Sequence, residues 1–417
     1  MKEIKLPKNW KIEKVSNIAN LIRGINYKKE TASNNSFFES LPILRANNIN
    51  GDLNFEDLVY VPKSLIKSEQ LIKKDDIIFA MSSGSKHLVG KTAVAKNDFK
   101  GSYGAFCALL RINEGINKKY VSYIFKGNNY RKLISEIAKG TSINNLKREH
   151  ILDFEFPLPP LETQHAIVSK IEELFSELDK GIAELKTAQQ QLKTYRQSVL
   201  KSAFEGKLTN DNVKEGELPD GWEWKTIKEI STLLGDGLHG TPKYDSNGEY
   251  YFINGNNLND GKIEIKENTK KVSKEEFEKY KKQLNNKTIF VSINGSIGYT
   301  AFYNDEPIIL GKSACYINIK EGIDKHYIRY IFTSQRFTNY SISVATGSTI
   351  KNVSLKSMRE FEVPLPETIG EQHQIVQEIE SRLSVADRME QSIQESLQKA
   401  EALRQSILKK AFSGELV

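Results

Sequence analysis

The sequence predicts a mixed α/β protein: two similar globular domains in tandem, each followed by a long helix, with the two helices packed as an antiparallel coiled coil. Three observations predict it. Nearly the whole chain repeats at offsets of 207 to 212 residues. The first part of each repeat mixes short apolar runs with helix-like segments. The second part is a long, almost proline-free stretch with apolar residues at steps of three and four.

The repeat comes first because it decides how everything else is read. Leu6-Pro7-Lys8-Asn9-Trp10 returns as Leu218-Pro219-Asp220-Gly221-Trp222 at 212, and Arg45-Ala46-Asn47-Asn48-Ile49 as Asn254-Gly255-Asn256-Asn257-Leu258 at 209. Ile78-Phe79 with Gly84-Ser85 returns as Ile289-Phe290 with Gly295-Ser296 at 211. Ala138-x-Gly140-Thr141-x-Ile143-x-Asn145 matches Ala345-x-Gly347-Ser348-x-Ile350-x-Asn352 at 207, as do Pro157-Leu158-Pro159 and Pro364-Leu365-Pro366. Ala203-Phe204-Glu205-Gly206-Lys207-Leu208 matches Ala411-Phe412-Ser413-Gly414-Glu415-Leu416 at 208. Six collinear matches with so little drift mean a duplication with short insertions.

Within each globular part, Asp76-Ile77-Ile78-Phe79-Ala80-Met81 and Thr288-Ile289-Phe290-Val291-Ser292-Ile293 read as short buried strands that end in Ser/Gly turns. Asn50-Gly51 and Asp260-Gly261 read as turns between strands. Tyr120 to Phe125 and Tyr327 to Phe332 suit the start of a helix packed on a sheet. The regular βαβ alternation of a nucleotide-binding fold is not there.

From Thr163 to Phe204 there is no proline and one glycine, Gly181. Apolar residues fall at Ile167, Ile171, Leu174, Leu178, Ile182, Leu185, Ala188, Leu192, Tyr195 and Val199. The second copy runs Ile375, Ile379, Leu383, Ala386, Met389, Ile393, Leu397, Ala400, Leu403 and Ile407. A stripe so narrow and long is a coiled-coil seam. Thr368-x-x-Glu371 has the pattern of a capping box, and Gly206 and Gly414 sit where a left-handed helix stop belongs. A helix of ~42 residues is ~63 Å long at 1.5 Å per residue. It cannot bury its whole stripe against one compact domain, so the two helices are expected to pack on each other. Pairing between chains of a dimer is the alternative. The division that follows is a first domain over 1–156, a helix over 157–208, a second domain over 209–363 with 209–217 as linker, and a helix over 364–417.

Bulk properties bound the function only loosely. A chain of 417 residues with 39% apolar and 27% charged residues fits a globular protein of two or three domains. The net charge of +7 and pI near 8.9 suit a polyanionic partner, yet 60 basic against 53 acidic residues is a small excess. The opening residues lack the apolar run of a signal peptide, and no stretch approaches the ~18 apolar residues of a membrane span. Cys107 and Cys315, far apart in no metal-type spacing, read as small buried hydrophobes in a reducing compartment. The expected location is cytoplasmic.

On these residues the chain resembles the specificity subunits of type I restriction-modification systems, over essentially its whole length. The pieces that carry the resemblance are Pro157-Leu158-Pro159-Pro160-Leu161-Glu162-x-Gln164 and Pro364-Leu365-Pro366 followed by Gln372, each opening a long helix. Ala183-Glu184-Leu185-Lys186 and the helix ends Val199-Leu200-Lys201-x-Ala203-Phe204-x-Gly206 and Ile407-Leu408-Lys409-x-Ala411-Phe412-x-Gly414 add to it. Gly237-Leu238-His239-Gly240-Thr241-Pro242-Lys243-Tyr244 looks like the opening of many such domains, which makes His239 and Lys243 candidate DNA contacts. The first copy departs there, with Arg23-Gly24-Ile25-Asn26-Tyr27-Lys28-Lys29. The resemblance implies that each globular part is a target recognition domain reading one half of a split site in double-stranded DNA. It implies that the paired helices set the spacing and dock two methyltransferase subunits, and that restriction and translocase subunits join that core. S-adenosylmethionine, ATP and magnesium are then expected on the partners, none in this chain.

Other motifs give little. Gly84 to Thr92 resembles a phosphate-binding P-loop, but five residues separate Gly84 from Gly90 where that motif has four, and the repeat copy has no lysine. Asp220 with Glu223-x-Lys225 has the residue types of a metal-dependent nuclease, yet the first copy has Asn9 in place of Gly221 and Lys8 in place of Asp220. No amino-methyltransferase tetrapeptide and no glycine-rich cofactor loop after a strand are found. The histidines 87, 150, 165, 239, 326 and 373 show no ligand spacing; His165 and His373, at matching helix starts, read as packing or capping residues.

The other candidate DNA contacts fall in three groups. Thr141, Ser142, Asn144, Lys147 and Arg148 follow Gly140 in a loop before a helix, where backbone amides and hydroxyls hold phosphate; Ser348, Thr349, Lys351 and Lys356 are the second copy. A capped helix with a solvated basic face is the alternative there. Arg45, Asn47 and Asn48, with Asn256 and Asn257, are types that bond base edges bidentately, or equally residues of a turn ahead of a strand. Lys86 and His87, with Lys91 beside them, lie where the two copies differ, which is where different half-sites would be told apart. A coiled-coil scaffold whose globular domains bind protein remains the alternative function.

Overall fold

The computed structural model describes residues 6–83, 88–140, 145–210, 213–214, 216–347 and 349–417, and the chain divides into two compact units. The first holds residues 1–185 with 395–417, and the second holds 186–394. The long helices, Leu161–Phe204 and Ile369–Ser413, are each shared between the units.

In the first unit, the strands Ala19–Arg23, Cys107–Ile112, Ile77–Ala80 and Thr92–Val94 lie side by side in that order, all antiparallel. A second sheet places Ser40–Leu44 between Val59–Pro62 and the short parallel strand Ser102–Tyr103. Every residue of Ile77–Ala80 is fully buried because the strand is covered on both faces. Ile77 and Phe79 face a core built with helices, whereas Ile78 and Ala80 face the second sheet. Alternation along the strand thus becomes two cores. The second unit repeats the plan with Ser231–Asp236, Ala314–Ile319, Thr288–Ser292 and Thr300–Phe302, and its second sheet has Tyr250–Ile253 between Lys270–Val272 and the parallel Ile308–Leu310. It adds a helix, Lys274–Tyr280, whose counterpart region in the first unit is short 3-10 turns. The Asn50-Gly51 and Asp260-Gly261 turns form as expected, with Gly51 and Gly261 at φ of 82° and 81°.

Each unit holds the start of one long helix and the end of the other, so the two pack antiparallel. In the first, Ile167, Val168, Ile171 and Phe175 share a core with Ile407, Leu408 and Ala411. In the second, Val199, Leu200, Ala203 and Phe204 share one with Ile375, Val376 and Ile379. Arg404 pairs with Asp179 in the first unit; Arg196 pairs with Asp387 at 2.6 Å and Glu390 at 2.9 Å in the second.

The seam read from spacing needs correction. Ala386, Ile393 and Ala400 are buried, but Tyr195, Met389 and Leu403 are 41%, 55% and 51% exposed. Leu178, Leu185 and Leu192 are only half-buried. The ends of each helix are covered by a globular core and bury a wide arc, whereas a single antiparallel neighbour covers a narrow strip. The capping box is also only half made. Thr368 Oγ1 accepts the Glu371 N–H at 3.2 Å, but the Glu371 carboxylate accepts from Trp222 Nε1 at 2.8 Å instead of returning to the cap. Gly206 and Gly414 do stop the helices, at φ of 74° and 78°.

Both thiols are fully buried, and burial pushes Cys107 and Cys315 up to about 12. No helix among the described residues is long and apolar enough to cross a membrane.

Candidate nucleic-acid interface

The residues that the helix-opening motifs bring together are structural. Gln164, 2% exposed, accepts the Asn117 N–H at 2.9 Å and donates to the Pro159 carbonyl at 2.8 Å. Gln372, 1% exposed, accepts the Asp324 N–H at 2.9 Å and donates to the Pro366 carbonyl at 3.1 Å. Tyr120 and Tyr327 donate to the Pro157 and Pro364 carbonyls at 2.8 and 2.7 Å. Each glutamine ties the first turn of a long helix to the cap of a short one, Lys118–Ile124 or Lys325–Thr333. His165 lies 2.9 Å from the Asn117 side chain and His373 3.6 Å from Asp324, which places both at these caps, as expected.

Asn48 and Asn257 are closed inside the fold. Asn48 Oδ1 accepts the Arg45 N–H at 2.9 Å and its Nδ2 donates to the Glu56 carbonyl at 2.9 Å. Asn257 Oδ1 accepts the Asn254 N–H at 3.0 Å and its Nδ2 donates to the Glu264 carbonyl at 2.8 Å. At 1% and 5% exposure both are turn clamps with their amides engaged, turn residues and not free base contacts. Their neighbours Asn47 and Asn256 are exposed. Arg45 is folded back, donating to the Asp57 carbonyl at 2.8 Å. Lys91 reaches Asn50 at 2.6 Å and lines a cleft of about 1090 Å³ with Asp52, Glu172, Asp179 and Glu401 and with Lys126, Arg131 and Arg404. The four acidic and four basic side chains of that lining balance.

Lys147 and Arg148 do come together with a third cation, Arg23, around a cleft of about 480 Å³ in the first unit. Asn145, Ser82 and Phe106 join them, and among the described residues no carboxylate lines it. Lys147 is exposed, whereas Arg148 donates to the Leu21 carbonyl at 2.7 Å and is partly structural. In the second unit, Asn256 lines a cleft of about 660 Å³ with Asn254, Asn259, Asn294, Ser296 and Lys266, and with Glu264 and the exposed Tyr299. The Lys351 carbonyl holds the Gly295 N–H at 3.0 Å, so the Thr349–Lys351 loop abuts that same cleft, with both side chains exposed. Lys356 pairs with Glu360 at 3.8 Å, the exposed Lys243 uses its backbone N–H on Glu276, and the exposed His239 bonds Asp236. Lys86, His87, Thr141, Ser142, Asn144 and Ser348 lie outside the described residues.

Sequence reasoning did not single out Arg23, Phe106, Asn294 or Lys266 as contacts. Phe106 precedes a run of apolar strand residues and has the signature of a core aromatic; only the fold shows it 69% exposed. Among the described residues no group of three or more His, Cys, Asp or Glu side chains is placed to hold a metal ion.

The model for the type I restriction modification DNA specificity domain matches twice, over residues 7–187 and 219–399, in step with the repeat. The type I restriction enzyme StySPI specificity subunit of Salmonella potsdam is 35% identical, with 99% of this chain and 90% of that protein aligned. The EcoKI specificity subunit of Escherichia coli K12 is 34% identical, with the same coverage of both. Among solved structures, a chain described in work on complex assembly and conformational transition of the type I R-M system has a TM-score of 0.75 at 18% identity, covering 99% of both chains. The HsdS subunit from Thermoanaerobacter tengcongensis has a TM-score of 0.54 at 18% identity, also over 99% of both. The last two speak for the fold; the matched domains and the close relatives speak for more, and by them this chain belongs to the specificity subunits of type I restriction-modification systems.

Proposed function

We propose that this chain is a non-catalytic recognition subunit whose two globular parts each read one half of a bipartite site in double-stranded DNA. The observation that carries the reading is the specificity domain matched once per repeat, each match holding its own sheets, core and polar cleft. Two similar readers joined by paired helices suit two half-sites separated by unread base pairs. The paired helices set that separation and offer Tyr195, Met389 and Leu403, exposed apolar side chains, to two methyltransferase subunits. Restriction and translocase subunits complete the assembly. Methyl transfer and DNA cutting, with their S-adenosylmethionine, ATP and magnesium, reside in those partners. In this reading Lys147, Arg23, Thr349 and Lys351 hold phosphate, and Asn47 and Asn256 reach bases; Lys91, His239, Lys243 and Lys356, together with Lys86, His87, Thr141, Ser142, Asn144 and Ser348, are further candidate contacts. Exchange of residues 1–156 for those of a relative tests the reading: one half of the methylated motif in the host genome should change, and a change in both halves would defeat the two-reader arrangement.

A further inference from the structure

One position is built on the same backbone frame in both units and filled with opposite chemistry. In the first, the Phe106 carbonyl accepts the Met81 and Ser82 N–H groups at 2.8 and 3.1 Å, and the Met81 carbonyl accepts the Leu146 N–H at 2.7 Å. In the second, the Ser313 carbonyl accepts the Ile293 N–H at 2.9 Å, and the Ile293 carbonyl accepts the Val353 N–H at 2.8 Å. Ser82 bridges Asn145 just as Asn294 bridges Asn352. Phe106 and Ser313 are therefore equivalent residues.

Their side chains do different things. Ser313 Oγ accepts the Gly255 N–H at 2.8 Å and donates to Asn254 Oδ1 at 3.2 Å, so it is spent on a turn. Phe106 projects into solvent, 69% exposed, from a main chain pinned on both sides. An exposed phenyl ring gains nothing from water, and here it stands over a cleft whose charged lining, among the described residues, is Arg23, Lys147 and Arg148 with no carboxylate. Cations draw a phosphate backbone to the cleft, and an aromatic face held rigidly beside them meets the bases that the backbone carries.

We propose that Phe106 is a specificity-determining contact of the first reader, its ring set against the face of a base at the first half-site, and that the second reader, with Ser313 at the equivalent position, makes no such contact there. The inference rests on the globular parts being DNA readers. Inserted apolar side chains unstack base steps, and steps differ in how readily they yield, so a wedge selects sequence without a hydrogen bond.

The test uses the full chain assembled with its methyltransferase subunits and a randomised duplex library, with the methylated motif read base by base. Phe106→Ser, which inserts the residue of the equivalent position, should bind the motif duplex roughly ten-fold more weakly, the scale of one lost base–aromatic stack, while Phe106→Trp stays within about two-fold. Base preference should relax in the first half-site alone, and thermal unfolding should not move because the ring supports no core. Phe106→Ser with wild-type affinity and motif would overturn the proposal while leaving the DNA-reader reading intact. A wild-type assembly that methylates no bipartite motif would remove that reading and the proposal together.

Discussion

Pro7 lies against Gly414, and a Cβ on that glycine would stand 2.2 Å from the proline Cγ; Pro219 repeats the arrangement on Gly206, at 2.1 Å. Each globular domain therefore begins on the stop of a long helix, within the first unit for Pro7 and within the second for Pro219. The glycines combine a left-handed backbone, at φ of 78° and 74°, with a close approach that leaves no room for a side chain. Gly414→Ala and Gly206→Ala should each cost about 1–3 kcal/mol, from left-handed strain and the clash. Thermal unfolding checks it, and a value near zero would mean that the proline moves aside freely.

Gln164 and Gln372 should be less replaceable than their polar character suggests. Removing either side chain leaves a buried N–H and a buried carbonyl without partners. Gln372→Leu, similar in volume, should cost about 1–3 kcal/mol per orphaned group in denaturant titration.

The exposed and buried members of the helix stripe should separate cleanly. Ala386 is fully buried, whereas Met389 is 55% exposed. Ala386→Asp should cost about 3–5 kcal/mol by stranding a charge. Met389→Asp should change stability by no more than about 0.5 kcal/mol. The second variant should nonetheless lower copurification of methyltransferase subunits if the exposed stripe is where they dock; unchanged yield would place docking elsewhere.

Lys147, exposed and without an acidic partner among the described residues, should act as a point charge on DNA. Lys147→Ala should weaken binding to all duplexes alike and lower the slope of log affinity against log salt by about 1. A loss confined to one sequence would make it a base contact instead.

If the helices act as a ruler, seven residues added to each should lengthen the unread gap by at most about three base pairs, since ~10 Å of helix meets ~3.4 Å of rise per base pair. Seven residues preserve the heptad phase, so pairing should survive. The half-site bases should stay as they were, with the methylated motif as readout. An unchanged gap with methylation intact would show that something other than helix length sets it.

The sequence alone determined the duplication, the two long helices with their glycine stops, and the buried central strands, because these rest on local periodicity and on comparison of one half with the other. Ile77–Ala80 and Thr288–Ser292 could be read as buried strands since an unbroken apolar run has few other uses. Only tertiary structure decided which polar residues are free. Asn47 and Asn48 are the same residue type side by side, yet a 3-10 turn buries one amide against Glu56 and leaves the other exposed. Met389 and Ala386 share one stripe, and burial differs because a neighbouring helix covers only part of the arc. Phe106 has the composition of a core residue and was turned outward by carbonyl bonds to Met81 and Ser82, partners 25 and 24 positions earlier in the chain. Periodicity reports how a residue sits on its own element; exposure is set by contacts between elements distant in sequence, and no local pattern encodes those.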